Sequence, residues 1–417
     1  MSATLDQIRE FLSNSREPVI VEPGEPPLAL VHGRYSLERA GSAIRLEAWD
    51  DTRMFARKIR IARPGKLGRL ELEVERFGGT RGWITIIDRF RGTHTALERK
   101  SARWILRNHV RGFLGRHFTG WRIAELTTEP DLEHSLSPNY TRALVTRAGS
   151  GWAVLAAPDQ TTAADQSLTY GLIWLDYLRH REKRLRIEGL CLFVPAGKEL
   201  TTCLRLPWLN QSAVTLQVVT YGENWEAQAA AAPHGNLETH LPLAGSAYAV
   251  RQLDSPEASL EQKLREEPRA IDPLVVRKPI YRQVPAWAGI ERGILDLLAC
   301  EASGRLVVIE LKASADPHLP LQALDYWLRV RWHLEQGDFP GKGYFRGIAL
   351  LRDPPRMVLV APALAFHPTT EIILHYFSRS IDVQRVGVAV EWQKEIRVLF
   401  RLRGAQRPYL AASRSFS

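Results

Sequence analysis

The spacing of apolar and polar positions changes period several times along this chain. A helix-like start at 5–12 gives way, from about 18 to 95, to short runs separated by Gly, Pro and Asp turns. In Ala43-Ile44-Arg45-Leu46-Glu47-Ala48-Trp49 and Leu70-Glu71-Leu72-Glu73-Val74 every second position is apolar, which is the period of a half-buried strand. At 96–118 the spacing turns helical, with Trp104, Ile105, Val110, Phe113 and Leu114 as its apolar positions. The pattern then predicts strands at 121–126 and 142–157, a helix at 167–179 and a strand at 187–194. After a stretch rich in Ala, Gly and Pro, it predicts a helix at 256–267 stopped by Pro268.

The region after 255 repeats the order of elements in 119–230. The stretch Gly171-Leu172-Ile173-Trp174-Leu175-Asp176-Tyr177-Leu178-Arg179 also has the texture of Gln322-Ala323-Leu324-Asp325-Tyr326-Trp327-Leu328-Arg329. An internal duplication is one account; reuse of common helix and strand patterns by two unrelated α/β segments is the other. The expected organisation is a β-rich module at 1–95, an α/β module at 96–232, a linker at 233–254 and a second α/β module at 255–417.

With 417 residues, 45% hydrophobic and 24% charged, the chain has the profile of a multidomain globular protein. It has no basic segment leading into an apolar core at its start and no apolar run of bilayer-spanning length, so a cytoplasmic location is expected. The three cysteines, Cys191, Cys203 and Cys300, form no CxxC pair, which argues against a zinc cluster or a disulfide framework. The net charge of +10 favours polyanionic partners, nucleic acid first among them, although a modest excess on so long a chain also serves solubility. Two basic features stand out. One is the run Arg53, Arg57, Lys58, Arg60, Arg63, Lys66 and Arg69; the other is Arg99, Arg103, Arg107 and Arg111, spaced every fourth residue on the 96–118 helix. At 3.6 residues per turn the second set drifts by about 40° per step and forms a stripe, either solvated or tracking phosphates. Arg397, Arg401 and Arg403 share one face of a C-terminal strand and read the same two ways.

The chemistry concentrates in the stretch from Gly293 to Lys312, where Ile294-Leu295-Asp296-Leu297-Leu298-Ala299-Cys300 and Arg305-Leu306-Val307-Val308-Ile309-Glu310-Leu311-Lys312 flank a turn at Glu301-Ala302-Ser303-Gly304. If Cys300 pairs with Arg305, Asp296 falls beside Ile309 and Glu310. Glu310 and Lys312 are two apart and share a face, with Leu311 on the other. Ionised groups inside strands fit for burial are costly unless they are paired or bind a metal. Two carboxylates suit Mg²⁺ or Mn²⁺, with Lys312 as a third reactive group.

These residues resemble the PD-(D/E)xK nuclease superfamily, with Asp296 as the first acid and Glu310-Leu311-Lys312 as the (D/E)xK element. Gln322 and Tyr326 are spaced like the QxxxY element of its RecB-like members, and the flow from 274 to 312 is similar to the nuclease domain of NucS-type endonucleases. The resemblance covers roughly 255–390, and Ile294-Leu295 stands where the family's literal Pro-Asp would be. It implies a restriction-endonuclease-like C-terminal domain of α/β class; if the chain is internally duplicated, the middle module is a degenerate copy of that fold, since Gly151-Trp152-Ala153-Val154-Leu155-Ala156-Ala157-Pro158 has no acid or lysine. It further implies Asp296, Glu310 and the Leu311 carbonyl as metal ligands, Lys312 as catalytic and Gln322 as steadying the site. Glu261, or else Glu257, would be the additional acid from the preceding helix. The expected activity is Mg²⁺-dependent cleavage of DNA in repair or defence, with Tyr326 and the arginine stripe on nucleic acid and a homodimer as one arrangement. An RNA nuclease and an inactive nucleic-acid-binding scaffold are the alternatives. Asp316, His318 and His134 are polar positions for which the sequence supplies no firm role.

Overall fold

A computed structural model describes residues 2–22, 25, 27–40, 43–50, 54–65, 69–75, 81–91, 95–222, 226–228, 241, 243–244, 255–288 and 291–406, and of 2, 3, 40, 43, 91, 95–102, 228, 283–288 and 291–295 it describes the backbone alone. The fold is mixed α/β, and the chain divides into two compact units, 1–119 and 120–417.

The first unit opens with α1 (Ser2–Ser13), followed by β1 (Pro18–Val21), β2 (Leu28–Ala29), β3 (Tyr35–Ala40), β4 (Ala43–Trp49), β5 (Met54–Gly65), β6 (Arg69–Glu75), β7 (Arg81–Asp88) and α2 (Thr95–His117). The strands form one antiparallel sheet in the order β2-β1-β7-β6-β5-β4-β3. Leu5, Ile8 and Leu12, one face of α1, close a core with Leu46, Ile59, Leu72, Val74 and Ile84, the inward positions of the alternating strands. Helix α2, assigned on sequence to the middle module, falls on this side of the division. The basic run on β5 meets glutamates: Arg57 pairs with the buried Glu22 at 2.8 Å, Arg60 with Glu75 at 2.7 Å and Arg63 with Glu71 at 2.8 Å. Acidic partners thus account for Arg57, Arg60 and Arg63, the last two paired across to β6, while Arg53 and Lys66 lie outside the described residues.

The second unit contains two six-stranded sheets. The first is built from β8 (Arg122–Thr127), β9 (Thr141–Arg147), β10 (Ser150–Ala156), α3 (Thr161–Arg181), β11 (Arg186–Pro195), α4 (Leu200–Arg205), β12 (Thr215–Tyr221) and β13 (Glu226–Gln228). Two short segments, α5 (Pro256–Glu266) and α6 (Pro268–Ile271), precede the second. That sheet uses β14 (Tyr281–Ala288), β15 (Glu291–Cys300), β16 (Leu306–Leu311), α7 (Leu319–Gln336), α8 (Asp338–Gly341), β17 (Arg356–Pro362), α9 (Thr370–His375), β18 (Val383–Val388) and β19 (Val398–Arg403). Both sheets run in sequence order across, and both have antiparallel, antiparallel, parallel, parallel and antiparallel neighbours.

The stretch 142–157, read from the sequence as one strand, is a hairpin. Ala148 and Gly149 both adopt left-handed backbone, φ 48° and 85°, and turn the chain between β9 and β10. The two sheets share one core: Leu168, Leu172 and Trp174 of α3 and Leu192 of β11 cluster with Leu324 and Trp327 of α7 and Ile373 of α9. Helix α3 lies against α9, and α4 against α7. Of the linker, Leu241 is buried with Leu298 and Tyr344, and most of its remaining residues lie outside the described set.

Candidate active site

Strand β16 is buried along its whole length, between β15 and the parallel β17, with helices over both faces. Leu297, Ala299, Val307, Ile309 and Leu311 meet Leu260 and Leu264 of α5 on one face. Leu298, Cys300, Leu306 and Val308 meet Tyr326, Val330 and Leu334 of α7 on the other. Helix α5 starts where Ser255 accepts the Ala258 amide at 3.1 Å with Pro256 behind it, and α7 ends at Gly337, which supplies φ 75°.

The turn before β16 sets the register of the acids. The Glu301 amide donates to the Arg305 carbonyl at 2.8 Å, and Gly304 holds φ 93°. Cys300 therefore pairs with Leu306 rather than Arg305, one residue later than the sequence suggests, because Arg305 is taken up in closing the turn. The last ladder pair is Leu297↔Ile309, and the next positions outward are Asp296 and Glu310. There β15 leaves β16 and continues with β14 alone. In place of a backbone partner, the Leu311 amide donates to Asp296 Oδ2 at 3.0 Å.

Alternation places Asp296, Glu310 and Lys312 on the α7 face. Both acids are buried, Asp296 at 1% exposure and Glu310 at 0%. Tyr326 stands over them. Burial, then the charges of Glu310 and Asp296, push its hydroxyl well above the usual phenol range, opposed by a hydrogen bond from Gln322 Nε2 at 3.2 Å. Gln322 and Tyr326 thus form a brace behind the acids, with Tyr326 at 3% exposure.

Lys312 continues the ladder, its amide donating to the Val360 carbonyl at 3.0 Å, and its Nζ lies 3.5 Å from Asp316 Oδ2. Asp316, for which the sequence supplies no firm role, is thus the lysine's ionic partner. His318 is also drawn inward: its Nδ1 lies 3.0 Å from Thr169 Oγ1 and its ring is edge-on to Tyr170. Desolvation lowers its pKa to about 4, with Arg205, His367 and Lys312 in the same direction and Asp316 opposing.

Glu261 is buried on α5, over the other face of the sheet, and its carboxylate lies 3.8 Å from Arg282 Nε, a residue that pairs across from Leu297. Among the described residues no group of three His, Cys, Asp or Glu is arranged to hold a metal ion. Glu257 sits in the first turn of the same helix. Arg103, Arg107 and Arg111 lie on α2 in the first unit, the first two half-buried and the last exposed; the Arg99 side chain lies outside the described residues. Arg401 is committed locally, donating to the carbonyls of Ala270 and Ile271 at the end of α6 at 2.8 and 3.1 Å.

Sequence reading missed the Arg205–Asp325 pair, a two-pronged contact at 2.8 and 2.7 Å joining α4 to α7. A cavity of about 460 Å³ lies around His134, Tyr177, His180 and Ile372, away from the hairpin acids. His134 itself pairs with Asp131 at 2.8 Å. The chain matches no protein-family model, no curated protein and no solved structure. Among the described residues no helix is long and apolar enough to cross a membrane.

Proposed function

We propose that this protein is a metal-dependent nuclease that hydrolyses phosphodiester bonds in DNA, with Asp296, Glu310 and Lys312 as its reactive set and the second sheet as a restriction-endonuclease-like domain. The observation that carries this reading is the buried acid pair at the point where β15 parts from β16. Two carboxylates buried side by side repel one another and have given up hydration, and a divalent cation held between them would offset both.

The donor set fits a hard cation. Asp296, Glu310 and the Leu311 carbonyl would hold Mg²⁺ or Mn²⁺, leaving further positions to water and phosphate oxygens, the usual state of Mg²⁺ in phosphoryl sites. Such an ion, when bound, polarises the phosphodiester and lowers the pKa of a bound water. The chain does the rest. The Leu311 amide fixes the Asp296 carboxylate, and the Gln322–Tyr326 hydrogen bond stiffens the wall behind both acids. Lys312, on the same face with its Nζ 3.5 Å from Asp316 Oδ2, offsets negative charge growing at phosphorus. A cytoplasmic role in repair or defence is part of this proposal.

The lack of a third clustered acid among the described residues favours a second reading, a nucleic-acid-binding protein without turnover. One assay separates the two. The full chain is incubated with duplex DNA, single-stranded DNA and RNA, with and without Mg²⁺ or Mn²⁺. Metal-dependent cleavage is expected, falling on the order of 100-fold or more in Glu310→Gln and Lys312→Ala while far-UV circular dichroism is unchanged. Binding without cleavage under every condition would select the second reading, and cleavage of RNA alone would change the substrate.

A further inference from the structure

We infer that the first sheet of the second unit is a built-in partner for the second, so that the chain meets DNA as a single-centred pseudo-dimer and cuts one strand per encounter. The inference rests on the nuclease reading above.

The two halves are alike in more than strand order. Helices α3 and α7 occupy the same place in their sheets, as do α4 and α9, and the contacts between halves are reciprocal: α3 with α9, α7 with α4. Just past α4 and α9 the chain forms an antiparallel bridge, Leu209↔Phe377. Asn210 donates its amide to the Tyr376 carbonyl at 2.8 Å, and Ser378 donates to Trp208 at 2.8 Å. Each bond is the other with the halves exchanged. Thr201-Thr202 precede Leu209 by the same spacing at which Thr369-Thr370 precede Phe377. This is how a two-fold contact between identical protomers looks, with each patch self-complementary. Here both patches belong to one chain, and the four helices that would meet a second copy already cover one another.

Only one half holds the reactive set. Strand β10 ends at Ala156 as β16 ends at Leu311, so Leu155 stands where Glu310 does and Ala157 where Lys312 does. Across from Leu155 on β9, in the place of Asp296, is Arg142. It is buried, and its guanidinium donates to the carbonyls of Ser137 and Glu129. A cationic side chain fixed by backbone carbonyls neither binds a divalent cation nor leaves room for one. Two strands of a duplex are cut together by two centres, and this architecture provides one.

The test uses supercoiled plasmid with the full chain and Mg²⁺, sampled over time, beside sedimentation velocity across a range of protein concentrations. Nicked circles should accumulate nearly to completion before linear DNA emerges, the rate should rise with the first power of protein, and one protomer mass should be seen throughout. Linear DNA from the earliest samples, a second-order dependence, or a stable dimer overturns the inference. So does a plasmid left intact by protein that degrades linear or single-stranded DNA. Absence of cleavage on every DNA instead sinks the nuclease reading, and sedimentation then still decides whether the halves satisfy one another within one chain: a dimer overturns the built-in partner, a monomer upholds it.

Discussion

Replacing Arg205 by Met keeps the aliphatic stem and removes the charge at the contact between α4 and α7. The Arg205 and Asp325 side chains are 6% and 11% exposed, and Arg205 also donates to the Asp165 carbonyl at 2.6 Å. Without the guanidinium, Asp325 is left as a buried carboxylate with two hydrogen bonds lost. Breaking a buried pair from one side costs about 3–5 kcal/mol, most of it the desolvation of the stranded partner. Arg205→Met should therefore lower stability by about 3–5 kcal/mol in urea unfolding followed by far-UV circular dichroism. The double variant Arg205→Met/Asp325→Leu removes both charges and should return to within about 2 kcal/mol of the parent, because paired charges and apolar residues of similar volume are often near equal in burial. A single variant costing less than about 1 kcal/mol, or a double variant whose loss equals the sum of the singles, would show that the pair does not hold the halves together in this way.

His318 titrates near 4 in the folded protein against 6.5 ordinarily, so between those values the unfolded chain binds a proton that the folded one refuses. Stability should fall as pH drops through that window, by at most about 3 kcal/mol once below it, and His318→Gln should flatten the slope; an unchanged acid profile in the variant would refute the assignment. At Gly304 the left-handed backbone and the Ala349 carbonyl oxygen, which an added methyl would strike, leave no room for a side chain. Gly304→Ala should cost about 2–3 kcal/mol and loosen the β15–β16 turn, read as faster amide exchange at Leu306 and Val307; unchanged exchange would count against this account.

Local pattern made much of the fold legible. The alternation in 43–49 and 70–74 gave β4 and β6, and the acid, hairpin and E-x-K order placed Asp296 and Glu310 on neighbouring strands. What escaped was set by turn closure or by distant chain. Ala148-Gly149 hides a hairpin because Ala carries no turn signal of its own and left-handed backbone at that residue is an outcome of pairing. The one-residue register error at Cys300 came from assuming a tighter turn than Glu301 and Arg305 close. The links from Arg205 to Asp325 and from Thr169 to His318 join segments more than a hundred residues apart, and no periodicity reports them.

The reciprocal bridge at Leu209 and Phe377 has a genetic consequence. In an assembly of identical chains every substitution arrives twice, so a loss on one side is a loss on both. Here the two sides are spelled by separate codons, and Arg142 on β9 can stand at the register position that Asp296 holds on β15. Asymmetry is open to this protein by single mutation, whereas a symmetric pair would first have to duplicate its gene.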